Sequence, residues 1–429
     1  MRHFGTDGIR AIADVFTEDY LRRIVLAAME VNPKAKFIIA RDTRKSGLDI
    51  ERTLSQTISA CGNKAVVLAI TSTPTLAFLT KELKGDFGIM ISASHNPPEY
   101  NGIKFFSSTG EKISDEIEQK IDSLIDNSFE EKKTQHEQID YYYGDDDYIN
   151  YLIKTLTPDI KGMKVCLDCA NGATATIAPM LFAKLKADVT AFNVNTDGKD
   201  INMGCGATHP EYLVQKMKEK DYDIGFSYDG DGDRLMCVQN GRIFNGDHLM
   251  YVHAKVMKEK GILNNNTVIG TVMSNMGTQR AFERNGIRLL RTAVGDKHVY
   301  REMKNNGYNL GAEECGHIIF SNYMKTGDGV LASLLTAMLA RDYDLSTLDD
   351  IKEYPKAIES YMCDKETMER YRDDKEIQEY LRELKFEGRT VVRPSGTEPK
   401  IRILVEAADR EAAENKAKEI KEFLRRRLG

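Results

Sequence analysis

Three carboxylates stand at alternate positions in Asp229-Gly230-Asp231-Gly232-Asp233-Arg234. Glycine permits a tight backbone and aspartate is short, so the run can turn all three side chains onto one small hard cation. A calcium loop of the EF-hand type needs glycine at its sixth position and glutamate at its twelfth. Those places hold Arg234 and Asn240, which excludes it. Three anionic ligands followed by an arginine suit a magnesium ion that also holds a phosphate; the competing reading is a plain acidic turn.

An apolar run, Gly88-Ile89-Met90-Ile91, ends in Ser92-Ala93-Ser94-His95-Asn96-Pro97. It reads as a buried strand delivering a hydroxyl to a loop, with Ser94 as the candidate for the chemistry and ordinary turn residues as the alternative. Neighbours on an extended chain point to opposite sides, so His95 is not expected to take the Ser94 proton easily. No Gly-x-Ser-x-Gly elbow, Walker-type loop or Gly-x-Gly-x-x-Gly occurs, so neither a serine hydrolase nor a nucleotide donor is indicated. A hydroxyl near a magnesium points instead to phosphoryl transfer.

Two further runs fit that chemistry. In Arg393-Pro394-Ser395-Gly396-Thr397-Glu398-Pro399, a glycine between hydroxyl residues leaves backbone N–H groups exposed. Arg393 and Arg402 can fork onto a phosphate there, unless the run is only a turn between two strands. Glu313-Glu314-Cys315-Gly316-His317 offers carboxylate, thiol and imidazole groups able to meet sugar hydroxyls, or is an ordinary loop before Ile318-Ile319-Phe320. Cys166 and Cys169 form a lone Cys-x-x-Cys inside a strand-like run; buried small apolar side chains are the simpler reading than zinc or redox chemistry.

These residues need a scaffold. The chain has 429 residues, 41% hydrophobic and 29% charged, enough for several domains with proper cores. A net charge of -6 argues against a nucleic-acid or anionic-membrane surface. No apolar stretch approaches the roughly 20 residues of a membrane span, Met1 to Gly5 do not read as a secretory leader, and seven cysteines suggest a reducing, cytoplasmic setting. Helices are expected over Tyr20–Val31 and Ile50–Cys61, strands over Lys36–Ala40 and Ala65–Leu68, and another helix after Thr71. Such alternation implies βαβ units and a largely parallel sheet, with ligands at the carboxyl ends of strands, where Ser94 lies. The acidic run Asp145-Asp146-Asp147 reads as a solvated linker, and Leu345 to Pro355 as a connector. New βαβ cycles begin near Met163 and Thr267, and a tail domain ends in a basic helix with an apolar stripe through Ala412, Ala417, Ile420 and Leu424.

The whole chain resembles the α-D-phosphohexomutases. The resemblance rests on Phe4-Gly5-Thr6-Asp7-Gly8, Ile91 to Pro97, Asn101-Gly102-Ile103-Lys104-Phe105-Phe106, Asp229 to Arg234, Ala293-Val294-Gly295-Asp296 and Arg393 to Pro399. Ala207-Thr208-His209-Pro210 and Thr271-Val272-Met273-Ser274-Asn275 resemble the glucosamine branch. The family implies a heart-shaped α/β enzyme of four domains: three of βαβ type with mixed sheets and a smaller C-terminal α+β domain. In this chain they would span 1–147, 148–250, 251–352 and 353–429. By the same resemblance Ser94 is the phosphoserine, and Asp229, Asp231 and Asp233 hold one magnesium with it. Lys104 manages the hydroxyl proton, helped by Arg10 and Arg234, with His95 beside the serine. Glu313, Cys315 and His317 line the sugar. Arg393, Ser395, Gly396, Thr397 and Arg402 anchor the unreacting phosphate. The implied reaction converts glucosamine 6-phosphate and glucosamine 1-phosphate through a 1,6-bisphosphate, with glucosamine or glucose 1,6-bisphosphate as activator, for UDP-N-acetylglucosamine and the cell wall. Mannose or glucose phosphates on the same frame are the rival substrates. A non-catalytic sugar-phosphate binder that kept the loops is the rival of another class; the intact Ser94 and three-aspartate run speak against it. The enzyme is expected to be a monomer or homodimer. The chain departs from the family pattern at Cys315, where the family has Ser, at Ala11 and Ala312, where it has Gly, and at Tyr100, where Asp is common.

Overall fold

The computed structural model describes residues 3–5, 7–129, 138–384, 386–395 and 399–429. Two compact units emerge: residues 1–271 with 289–349, and residues 272–288 with 350–429. The first carries three sheets and the second carries one.

The first sheet contains β1 (Ile9–Ile12), β2 (Lys36–Arg41), β3 (Lys64–Ile70), β4 (Phe87–Ile91), β5 (Tyr100–Ser107) and β6 (Ile139–Tyr141), in the order β1-β5-β4-β2-β3-β6. Strands β4, β2, β3 and β6 are parallel, as the alternation with helices requires. The remaining pairs, β4 with β5 and β5 with β1, are antiparallel, so the sheet is largely parallel with an antiparallel edge, the mixed arrangement the resemblance implies. Segment 92–99 is the cause: a parallel return needs a crossover of about a dozen residues or more, and this link is shorter. The helix Glu18–Val31 starts where Thr17 caps it, with Thr17 Oγ1 accepting from Tyr20 N at 3.3 Å, and it buries Leu21, Ile24, Val25 and Ala28 against the sheet core. Ser72 caps the helix Thr73–Glu82, with Pro74 in its first turn, where a missing N–H costs nothing.

The second sheet holds β7 (Lys164–Asp168), β8 (Asp188–Phe192), β9 (Ile224–Tyr228), β10 (Leu235–Gln239) and β11 (Arg242–Phe244), in the order β11-β10-β9-β7-β8. The third holds β12 (Thr267–Thr271), β13 (Arg288–Thr292), β14 (Leu310–Ala312) and β15 (Ile318–Phe320), in the order β13-β12-β14-β15. The second unit builds an antiparallel sheet from β16 (Lys356–Met362), β17 (Gly388–Pro394) and β18 (Lys400–Ala407), in the order β16-β18-β17. Its helix Arg410–Leu428 buries Ala413, Ala417, Ile420, Leu424 and Leu428. Ala412 is half-buried against the same core, with Ala413 the fully buried residue of that turn, and the trailing arginines are exposed.

Two linker expectations change. Asp145, Asp146 and Asp147 form the first turn of the helix Asp145–Leu156, where carboxylates oppose the positive end of the helix dipole. Asp145 accepts from Thr71 Oγ1 at 2.6 Å, so the run is structural, not a free linker. Leu345–Leu348 is a short helix capped by Asp344. Cys166 and Cys169 are buried and unbridged, and burial pushes the Cys166 thiol up to about 12.

Candidate active site

The carboxyl end of β4 and the turn between β9 and β10 meet inside the first unit. Ser94 follows β4 with φ 52°, a left-handed conformation that costs a non-glycine residue about 1–3 kcal/mol unless its surroundings enforce it. Here they do. Ser94 N donates to Ser92 Oγ at 2.8 Å, and the Ser94 carbonyl accepts from Arg44 Nη2 at 2.9 Å and Asn202 Nδ2 at 2.8 Å. Arg44 is fully buried. Its other donors reach Asp42 Oδ2, Tyr100 O, Asn96 O and Pro97 O, so one guanidinium fixes the whole loop.

That conformation aims Ser94 Oγ at Asp229 Oδ2, 2.6 Å away. It also brings His95 Nδ1 within 3.4 Å of the same oxygen. The expectation that the two side chains diverge therefore fails, because the chain is not extended here. His95 is held neutral: burial, then the positive charges of Arg234 and Arg10, lower its pKa to about 3.

Asp229, Asp231 and Asp233 each offer an oxygen within 4.8 Å of the others, all three residues buried. Gly232, at φ 73°, lets the chain turn between them. Gly230 serves a different need: a Cβ there would lie 2.6 Å from the Ser94 carbonyl. Asp231 Oδ1 and Asp233 Oδ1 are buried with no hydrogen-bond partner among the described residues. Burial, then repulsion from Asp233 and Asp231, pushes the Asp229 carboxyl upward. Three clustered buried acids, two of them with an orphaned oxygen, suit a hard divalent cation.

Around the acids stand the basic groups. Lys104, on β5, lies 2.7 Å from Asp231 Oδ2, 3.2 Å from Asp7 Oδ2 and 3.4 Å from Asp233 Oδ2. Burial disfavours its charge, but Asp231, Asp7 and Asp233 outweigh that and hold its pKa above the ordinary lysine value. Arg10, on β1, pairs with Asp7, while Arg234 Nε stays 3.9 Å from both Asp229 and Asp233. The Nε atoms of Arg10 and Arg234 are buried without an acceptor among the described residues, a donor set suited to phosphoryl oxygens.

The loop joining β14 to β15 presents the remaining candidates. Gly316, at φ 94°, closes it: a Cβ would lie 2.3 Å from the Leu235 carbonyl, and Gly316 O accepts from Leu235 N at 2.9 Å. The loop after β14 is thereby fastened to the residue that follows the three-aspartate turn. Glu313 Oε1 accepts from Gly295 N at 2.9 Å. Burial raises the Cys315 thiol to about 11, so Cys315 is a neutral, weak hydrogen-bonding group. His317 lies with Nδ1 3.7 Å from Asp233 Oδ1 and Nε2 3.3 Å from Asp296 Oδ2.

In the second unit, Arg393 on β17 stands directly opposite Arg402 on β18. Like charges in register oppose pairing; burial and Arg402 lower the Arg393 pKa. An anion between them would relieve both. Ser395 is buried, with its N–H donating to Lys400 O at 2.8 Å. Gly396 and Thr397 lie outside the described residues.

Asp7, Lys112, Asp296 and Arg44 belong to the same construction and were not among the sequence candidates. Asp7 and Asp296 stood inside quoted motifs, but nothing local marked Lys112 or Arg44.

The sequence and the fold have known counterparts. Family models described as phosphoglucomutase/phosphomannomutase alpha/beta/alpha domains I, II and III match residues 1–132, 146–242 and 245–357, and the C-terminal domain of the same family matches 346–423. The chain belongs to the phosphoglucomutase/phosphomannomutase family, with its four-domain α/β architecture. Within it, the chain is 44% identical to the phosphoglucosamine mutase of Geobacillus thermodenitrificans, covering 100% of this chain and 99% of that one. It is 42% identical to the phosphoglucosamine mutase of Bacillus cytotoxicus, with the same coverage. Among solved structures, a phosphoglucomutase/phosphomannomutase family protein from Burkholderia thailandensis superposes with TM-score 0.81 at 24% identity, over 99% of this chain and 97% of that one. The Aspergillus fumigatus N-acetylphosphoglucosamine mutase, solved with GlcNAc-6P and magnesium, gives 0.71 at 17% identity, over 100% and 96%.

Proposed function

We propose that the protein is a phosphoglucosamine mutase: an isomerase that interconverts glucosamine 6-phosphate and glucosamine 1-phosphate through a phosphoserine at Ser94 and a 1,6-bisphosphate. The observation that carries this is Ser94 Oγ lying 2.6 Å from Asp229 in a buried three-aspartate cluster, in a chain that matches phosphoglucosamine mutases from end to end. The product would supply UDP-N-acetylglucosamine for the cell wall, in the cytoplasm.

Phosphorylated Ser94 gives its phosphoryl group to the free hydroxyl of the sugar phosphate and later receives the other one. Asp229, Asp231 and Asp233 would hold magnesium, which when bound neutralises charge on the transferring group and relaxes the carboxylate field around Lys104. Arg10 and Arg234 bind phosphoryl oxygens through donors that lack other acceptors. Lys104 carries its proton between Asp231 and Asp7, so returning a proton to the sugar oxygen is its natural role; taking one requires those acids to be neutralised. His95, neutral and 3.4 Å from Ser94 Oγ, orients the serine hydroxyl, which donates to Asp229 Oδ2 at 2.6 Å when the phosphate is absent. Arg393, Ser395, Gly396, Thr397 and Arg402 anchor the distant phosphate. Fixing it makes attack effectively unimolecular, which lowers a barrier by up to roughly 7–11 kcal/mol. Glu313, Cys315 and His317 select the sugar. A bound 1,6-bisphosphate of glucosamine or glucose would prime Ser94. We further propose domain limits at 147, 250 and 352, and a monomer or homodimer as the working form.

The test is a side-by-side kcat/KM for glucosamine, glucose and mannose phosphates, with Cys315→Ser alongside. Preference for glucosamine is expected. A preference for mannose would move the protein to another branch of the family.

A further inference from the structure

Lys112 follows β5 after a tight turn in which Ser107 N donates to Glu111 O at 2.7 Å. Its ammonium is largely buried and ends between two carboxylates, Asp7 Oδ1 and Asp296 Oδ2, the latter at 2.5 Å. Asp7 uses its other oxygen, Oδ2, for Lys104 at 3.2 Å and for Arg10. Asp296 Oδ2 also faces His317 Nε2 at 3.3 Å. The contacts close on themselves: Asp7, Lys104, Asp233, His317, Asp296, Lys112 and back to Asp7. Basic and acidic groups alternate around the whole ring.

Among the described residues of this ring, Lys112 pairs with neither the three-aspartate cluster nor Ser94, yet it joins the Asp7 side to the Asp296 side without passing through Asp233. We propose that Lys112 is a positioning residue for the phosphoryl transfer: by holding Asp7 Oδ1 and Asp296 together, it fixes the direction from which Lys104 and Arg10 approach the reacting oxygens and locks the loop bearing His317 against them. A carboxylate gripped on one oxygen has no freedom to rotate, so the two cations on its other oxygen inherit a fixed reference. Buried charge pairs of this kind add little net stability over apolar substitutes, but they specify geometry. Misplacing a reacting group by about 1 Å costs on the order of 100-fold in rate.

The inference rests on the mutase reading, and the two can fail separately. If the wild-type protein does not isomerise hexose phosphates, the reading falls; if it does, Lys112 is tested by its own variants. Lys112→Met is expected to lower kcat by roughly 10–100-fold while leaving KM within about twofold, because the far phosphate is gripped elsewhere. Lys112→Arg keeps the charge, so the ring stays compensated and the fold is not at issue. Its flat fork cannot reproduce a point contact with both acids, and kcat should fall several-fold, again at unchanged KM. Lys112→Met/Asp296→Asn removes one of the two acids that lose this partner and should recover melting temperature over Lys112→Met without recovering kcat. Wild-type kcat in Lys112→Arg, a loss confined to KM, or a double variant that regains kcat along with stability would each overturn the assignment and leave Lys112 as a structural ion pair.

Discussion

Ser94 Oγ and Asp229 Oδ2 lie 2.6 Å apart although 135 positions separate them. The contact joins the loop after β4 to the turn after β9, and Gly230 makes it feasible by leaving room for the Ser94 carbonyl. A hydroxyl hydrogen-bonded to one of three clustered buried acids would share their counter-charge with a phosphoryl group carried on it. Chelation with EDTA is therefore expected to abolish turnover, and magnesium to restore it. Asp229→Asn should lose roughly 100-fold or more in kcat with its thermal unfolding preserved, measured by a coupled assay and calorimetry.

Arg44 has a different job. Buried with Asp42 at 2.9 Å, it donates to carbonyls from Ser94 to Tyr100. Arg44→Met leaves Asp42 uncompensated and those carbonyls short of a donor. Breaking such a buried pair costs about 3–5 kcal/mol, to be read from urea denaturation.

Gly316→Ala places a methyl group 2.3 Å from the Leu235 carbonyl, at a backbone φ of 94°. The variant is expected to lose about 1–3 kcal/mol of stability. Because the same loop carries Cys315 and His317, KM for the sugar phosphate should rise as well.

His253 gives a pH prediction away from the site. It is buried against Thr336 Oγ1 at 2.9 Å and the edge of Phe320, and burial lowers its pKa from 6.5 to about 4. The native state thus binds fewer protons than the unfolded chain between those values. Its contribution to stability is complete above pH 6.5 and is lost as pH falls toward 4, by about 3 kcal/mol in all. His253→Gln, which can keep the Thr336 bond, should flatten that part of the urea-midpoint profile.

Much of the site was legible because its groups are local. Asp229, Asp231 and Asp233 carry their spacing in consecutive residues, and the strand before Ser94 announces itself by an apolar run. What was not legible is tertiary. Lys112 and Arg44 look like any surface cation until the fold surrounds them with acids and carbonyls. Local sequence implies an extended backbone at Ser94–His95, whereas the left-handed turn there depends on donors from Arg44 and Asn202, remote in sequence. Charge alone makes the Asp145–Asp147 run look like a linker, whereas its meaning comes from the helix it begins. The mixed first sheet follows from the length of segment 92–99, which hydrophobic pattern does not weigh.

The most direct measurement is intact-protein mass before and after incubation with glucose 1,6-bisphosphate, for wild type and Ser94→Ala, paired with mutase activity. The account predicts one added phosphoryl group on wild type, none on Ser94→Ala, and no turnover by the variant. An equal mass gain on Ser94→Ala, or full activity without that hydroxyl, would contradict it.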